Sequence, residues 1–251
     1  CLFVVSLAVY LKTLCPSVYG GDSGEILSAI ATLGIAHPTG FPLYILTGKL
    51  FSLIIPFGDT AFKVNVLSAF FGALTVVIVY CILKTLIGKK SISLAGALCI
   101  AFSATLWSHA TVARVYIMTY FFVALSVYII ILWSLERKDK YFYLFAIALG
   151  LGLGTHLTMM LVIPMALAFI IMTDVKTFLR PCVYKAIGLA VAIAALLYLY
   201  IPLAASRDTI VNWGNPIDLD SFVYYITQRE YSFKIVARNI HNAFQVFFFG
   251  N

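Results

Sequence analysis

Asp22 and Glu25 stand one helical turn apart in GGDSGEILSAIATLGIAHPTGFPLY, residues 20–44. A carboxylate held rigidly at a helix start does one of two kinds of chemistry. It acts as a general base on an attacking hydroxyl, or it serves as a metal ligand. The local alternative is structural: Asp22 as N-cap, with Glu25 three residues later reaching back in a capping box. The two readings are compatible, because a cap also fixes a side chain. The same stretch carries His37, two prolines and five glycines. His37-Pro38 and Phe41-Pro42 force extended backbone before each proline, and Gly40 permits a tight turn. AHPTGFPLY therefore reads as a re-entrant turn ahead of a surface helix, from which His37 or Lys49 reaches a phosphate.

The elements that must position these residues are apolar. Of the 251 residues, 63% are hydrophobic and 11% charged, and mean hydropathy is +1.02; a soluble domain carries about 25% charged residues. The expected fold class is all-α, a polytopic bundle of transmembrane helices. In such a chain the net charge of +7 reports topology rather than nucleic acid. The five cysteines, Cys1, Cys15, Cys81, Cys99 and Cys182, form no CxxC pair. They suggest neither a metal knuckle nor a disulfide framework. The chain starts at Cys1 and ends in the apolar run AFQVFFFGN. It reads as a fragment of something longer, with a signal peptide neither indicated nor excluded.

A spanning helix needs roughly 17–25 apolar residues. Candidate spans are 64–83, 92–108, 116–135 and 183–205, with 1–15 as a shortened first one. The stretch 141–172 holds no Asp, Glu, Lys or Arg and reads as one tilted helix or two short ones. Basic clusters decide between them. Lys84, Lys89 and Lys90, then Arg137, Lys138 and Lys140, then Lys176, Arg180 and Lys185 fall on one cytoplasmic side only if 141–172 crosses twice, turning near Gly154–Thr158. That gives about seven crossings. The loops 16–63, 108–115, 154–158 and 206–251 then share the opposite face, with His37, His109, His156, His241 and seven of the ten acids. Residues 42–55 are too short and too polar at Lys49 to span, and are expected to lie in the interface. Residues 1–205 form the membrane module, with 16–63 as its first outer loop, and 206–251 an extracytoplasmic loop cut off at its end.

Other polar motifs sit on that face. WSHATVARVY brings His109 and Arg114, where Arg114 is an interfacial anchor, a partner for Asp22 or Glu25, or a binder of anions. GTHLT puts His156 where two short helices meet, a place that suits a hydrogen-bonded packing role. Asn212, Trp213 and Asn215 form a polar, aromatic turn after Arg207, of the kind that stacks on sugar rings and also populates interfacial belts. Neither GxxxxGK[ST] nor HExxH is present. Gly21-Asp22-Ser23-Gly24 spells the GxSG of rhomboid-type intramembrane proteases. Its serine opens a short segment in a polar loop instead of a spanning helix, which sets that reading aside.

The order GDSGE, AHPTGFPLY, GKLF, VNVLSAFFGALT, ARVY, GLGTHL, NWGNP resembles one family over most of residues 1–215. These are the GT-C-type membrane glycosyltransferases related to the transmembrane O-mannosyltransferase that modifies receptor IPT domains, with their bacterial homologues. The resemblance implies a GT-C-like bundle with its active site on the lumenal or periplasmic face, in the endoplasmic reticulum or a bacterial inner membrane. It implies a sugar donor on a polyprenyl (dolichyl or undecaprenyl) phosphate, mannose in the eukaryotic member, and an inverting displacement. The acceptor is a protein or glycan hydroxyl. Asp22 matches the family's catalytic acid in the first outer loop, with Glu25 its partner or a metal ligand; a divalent metal is left open. His37, Lys49, Arg114 and Arg207 would meet donor phosphate, while His109, His156, Asn212 and Trp213 shape the substrate. The chain departs from the family pattern at Arg114, where an acid is usual. The competing reading is a non-enzymatic transporter or lipid-binding scaffold, with the acids lining a vestibule. Such a protein is expected to carry charges deep in its spans.

Overall fold

In a computed structural model, which describes residues 1–207 and 209–231, the chain is built from helices, and no strand occurs among the described residues. His241 lies outside them. The elements are α1 (Leu2–Lys12), α2 (Ser23–Thr32), α3 (Pro42–Ile54), α4 (Thr60–Ile87), α5 (Lys90–Ala101), α6 (Ala104–Ala110), α7 (Tyr116–Glu136) and α8 (Lys140–Leu153), followed by a 3-10 turn (Leu157–Leu161). Then come α9 (Val162–Asp174), α10 (Pro181–Tyr198), α11 (Tyr200–Ala205) and α12 (Leu219–Ile226). Local chemistry sets the boundaries. Asp59 caps α4 by accepting the Phe62 amide at 2.7 Å, and Gly88, at φ 76°, ends it.

Four helical stretches are long and apolar enough to cross a membrane: Thr60–Ile87, Tyr116–Glu136, Leu157–Leu179 and Pro181–Ala205. The expected span 92–108 is instead a pair, α5 and α6, bent by 63° at Phe102–Ser103, and counts as a fifth if the pair is one span. The break has a local cause, since Ser103 restarts the helix by accepting the Leu106 amide. The stretch 141–172 does divide, with α8 stopping at Leu153 and Gly154–His156 forming the turn. The shorter apolar helices α1 and α8 are the two further segments a seven-crossing count requires. The interfacial candidate 42–55 is the 13-residue α3.

Packing radiates from α4, α7 and α8. α4 lies between α1, α5 and α7, and α8 packs against α7 and α10. Small residues allow the closest approaches: a Cβ on Gly150 of α8 would stand 2.8 Å from the Ala190 carbonyl oxygen of α10. Where α5 and α8 stop, a carbonyl at each end finds a tyrosine hydroxyl from elsewhere. The Tyr10 hydroxyl donates to the Ala101 carbonyl at the end of α5, at 2.7 Å, and Tyr198 donates to Leu153 at the end of α8, at 3.2 Å. The Leu43 amide donates to the Gly154 carbonyl at 2.9 Å, joining the first loop to the α8 turn.

Tyr10 is fully buried, so Tyr10→Phe leaves the Ala101 carbonyl without its hydroxyl partner. The expected cost is about 1–3 kcal/mol, read as a lower unfolding midpoint of the purified protein in detergent.

Candidate active site

Asp22 occupies the N-cap of α2 in helical backbone geometry, and its side chain accepts no amide of that helix. The capping box expected of Asp22 and Glu25 is therefore not formed. The reason lies in where Glu25 turns. Its Oε1 accepts the backbone amide of His37 at 2.5 Å, and its Oε2 meets the His37 Nδ1 at 3.1 Å. A carboxylate facing Nδ1 fixes the proton there, which leaves Nε2 as the outward pole of the ring. With the two side chains 20% and 25% exposed, the pair is held between water and protein. Asp22, by contrast, is solvent-exposed, and no ion pair or hydrogen bond engages its carboxylate among the described residues.

The His37 loop is clamped by residues 200–225. Ile35 and Asn212 form an isolated parallel bridge, with the Ile35 amide donating to the Val211 carbonyl at 2.7 Å and the Trp213 amide donating to Ile35 at 3.2 Å. Gly34 makes this approach feasible, because a Cβ there would stand 2.3 Å from the Val211 carbonyl oxygen. The Tyr200 hydroxyl donates to the Gly34 carbonyl at 2.8 Å, and the Tyr225 hydroxyl to the Ala36 carbonyl. Burial raises the Tyr225 phenol well above its ordinary value, which keeps that proton available as a donor.

From His37 a row of rings runs across the module. Trp213 meets His37 at 6.2 Å between centroids, His37 meets Phe41 at 4.9 Å, and Phe41 stacks on His156 at 5.7 Å. His156 then meets Tyr116 at 5.1 Å, and Tyr116 meets His109 at 5.4 Å. Three of the histidines singled out in sequence thus gather from three separate segments. His156 accepts the Thr158 amide at Nδ1, at 3.1 Å, so in its neutral form the proton sits on Nε2. Burial, and then the charge of His37, lower its pKa.

Arg114 joins the same region by another route. Its guanidinium lies 5.4 Å from the centroid of the Tyr19 ring, three residues before Asp22. Among the described residues it forms no ion pair with Asp22 or Glu25. Lys49 lies apart: its ammonium donates to the Ala31 carbonyl at 2.7 Å, near the opposite end of α2 from Asp22. Arg207 donates through Nε to the Leu203 carbonyl at 3.2 Å. Trp213 donates through Nε1 to Glu230 at 3.1 Å, and Asn212 through Nδ2 to Asn215 at 2.8 Å. Among the described residues no three His, Cys, Asp or Glu side chains gather where they could hold a metal. Sequence reasoning missed Tyr19, Phe41, Tyr116 and Tyr225 as structural parts of the site. Three of them stand within or beside the quoted motifs AHPTGFPLY, ARVY and GDSGE, and Tyr225 had no local signal.

Two cavities differ sharply in chemistry. One of about 720 Å³, between α8, α9 and α10, is lined by apolar side chains such as Phe142, Leu149, Ile170, Ala186 and Ala190. It reaches Tyr198 and, on α12, Phe222 and Ile226. The other, of about 80 Å³, is lined by Pro38, which follows His37 directly, and by Trp213 and Glu230 among others.

The family described as the protein O-mannosyl-transferase TMEM260 N-terminal domain matches residues 22–179. The chain is 29% identical over 247 residues to protein O-mannosyl-transferase TMEM260 of Mus musculus, an alignment that covers 95% of this chain and 35% of that protein. It is 28% identical over 252 residues to protein O-mannosyl-transferase tmem260 of Dictyostelium discoideum, covering 92% of this chain and 30% of that protein. The chain thus spans about a third of the length of these relatives. Among solved structures it is similar to the S. cerevisiae protein O-mannosyltransferase Pmt1-Pmt2 complex bound to the sugar donor. There the TM-score is 0.60 at 19% identity, over 83% of this chain and 33% of that one. At that identity the likeness is one of fold, a GT-C-type membrane bundle.

The lowered pKa of His156 has a signed consequence. The unfolded chain takes up a proton near the ordinary histidine value of about 6.5, before the folded site does. Stability is therefore expected to fall as pH drops through that value, and His156→Gln should flatten the slope. Thermal unfolding of both proteins between about pH 5 and 7 measures the difference.

Proposed function

The chain belongs to the family of TMEM260 N-terminal domains, and from that premise we propose that it carries the catalytic loop of a membrane glycosyltransferase. The reaction moves a sugar from a polyprenyl-phosphate donor to a hydroxyl of a protein on the extracytoplasmic face, in one inverting displacement. The observation that supports it best is the division of labour between the two acids. Glu25 is committed to His37, whereas the Asp22 carboxylate is exposed at the start of a helix and uncommitted among the described residues.

In this mechanism Asp22 takes the proton of the acceptor hydroxyl as that oxygen bonds to the anomeric carbon. The bond from that carbon to the phosphate oxygen breaks, and its electron pair leaves with the lipid phosphate. Arg114, beside Tyr19, meets the charge that develops there. His37, oriented by Glu25, presents Nε2 to the donor's polar end. The site needs no metal ligand set of its own in this scheme, and a divalent ion delivered with the donor phosphate is compatible with it. Part of the polyprenyl chain would lie in the apolar cavity between α8, α9 and α10.

That cavity also favours a second reading, a non-enzymatic lipid-binding or transport scaffold. The charges argue against transport. Along the long spans Lys63, Lys84, Glu136, Asp174, Lys176 and Lys185 all sit near helix ends, so no charged side chain lies deep within them.

Asp22→Asn in the full-length protein is expected to reduce transfer by roughly 10²–10⁴-fold, the usual worth of a general base, while thermal unfolding stays unchanged. The assay is passage of label from a radiolabelled polyprenyl-phosphate sugar to acceptor in membranes. Undiminished transfer by the variant would remove Asp22 as the base; a wild-type protein that binds the lipid and transfers nothing would favour the scaffold.

A further inference from the structure

The cavity of about 80 Å³ beside His37 is lined by Pro38, Trp213, Gly214, Ser221, Tyr224, Tyr225 and Glu230. It adjoins the acid–histidine pair on two sides. Pro38 follows His37 directly, and the Trp213 ring meets the His37 ring at 6.2 Å. Its wall is mixed in character: ring faces from Trp213 and Tyr224, the Ser221 hydroxyl, and a carboxylate, Glu230, that the Trp213 indole N–H fixes at 3.1 Å. Trp213 is 38% exposed and Tyr224 50% exposed, so the cavity lies beside an aromatic surface open to solvent.

Size decides what enters. An apolar cavity of about 150 Å³ takes one benzene. A hexose has twice as many heavy atoms, so 80 Å³ excludes a sugar ring. The space suits a short side chain of a few heavy atoms. The walls suit a polypeptide too: peptide planes pack against aromatic side chains such as Trp213 and Tyr224 at little entropic cost.

We infer that this cavity is a subsite for the protein acceptor, holding a small side chain next to the hydroxyl that receives the sugar while the acceptor backbone crosses Trp213 and Tyr224. The inference rests on the transferase reading and gives its acceptor side a location. It makes the enzyme selective for sequence around the acceptor residue, with short neighbours accepted and bulky ones refused.

Binding of fluorescent Ser- and Thr-containing peptides, differing only in the residue beside the hydroxyl, is measured on the full-length protein alongside sugar transfer. Wild type is expected to bind peptides with Gly, Ala or Ser there at least about tenfold more tightly than those with Leu or Phe. Tyr224→Ala opens the wall and should narrow that preference. Ser221→Leu fills the cavity and should weaken the small-residue peptides about tenfold, with the KM for the lipid donor unchanged. Ser221 also belongs to the capping box of α12 with Asp218, so Ser221→Ala, which loses the cap without filling the space, is the control. Peptide affinity that ignores the neighbouring residue, or that neither Tyr224→Ala nor Ser221→Leu alters, would overturn the subsite. Selective peptide binding without transfer would uphold the subsite and remove the transferase reading.

Discussion

Backbone polar groups freed at a helix break must find partners where water is scarce, and that constraint organises this molecule. Four tyrosine hydroxyls meet it. Tyr10 serves Ala101 at the α5–α6 bend, Tyr198 serves Leu153 at the end of α8, and Tyr200 and Tyr225 serve Gly34 and Ala36 in the first loop. Each phenol gives the helix bundle an apolar body and a single donor at its tip. The irregular segments around Gly34 and Ala36 and at the ends of α5 and α8 are therefore anchored by tyrosines from α1, α10, α11 and α12. Without these donors the loop around His37 would expose carbonyls to an apolar surrounding, at a cost comparable to a lost hydrogen bond apiece.

The same economy explains the acids. Asp22 and Glu25 share the start of a helix, yet only one is absorbed into structure. Glu25 stitches α2 to the turn that follows it and fixes the direction of an imidazole. Within a single turn of helix, Glu25 is bonded into the loop and Asp22, among the described residues, is not. The geometry also lets the histidines act as a connected set: Phe41 sits between two imidazoles, at 4.9 Å and 5.7 Å, and is itself only 1% exposed.

Much of the bundle was legible in the sequence, because apolar length and lysine clusters are local signals. Long spans such as α4 and α7 follow directly from composition, and the turn at Gly154–His156 followed from the distribution of basic residues. The 63° bend between α5 and α6 was not legible, since Phe102 and Ser103 break a run that remains uniformly apolar. Among the candidate residues, the sequence brought out His37, His109, His156 and Trp213, and their rings lie in one row with Phe41 and Tyr116. It did not separate the roles of Asp22 and Glu25, because capping depends on a competitor, the His37 amide, twelve residues away. Lys49 looked equally available for a phosphate, yet the Ala31 carbonyl engages it. Tyrosine donors were invisible for the same reason: a partner 91 or 166 residues distant leaves no local trace.

The bond from Tyr225 to Ala36 links residues 189 positions apart. A membrane chain is made from its N-terminus and inserted span by span, so the segment 22–41 emerges long before the residues that brace it exist. Until the turn at Asn212 and helix α12 follow, Ile35 has no bridge and Ala36 no hydroxyl. The loop at 22–41 therefore stays unbraced while the long spans are made, and is completed only after they have been laid down. Timing becomes a safeguard: a chain stalled before α12 has its spans but an unbraced loop around Ile35 and Ala36.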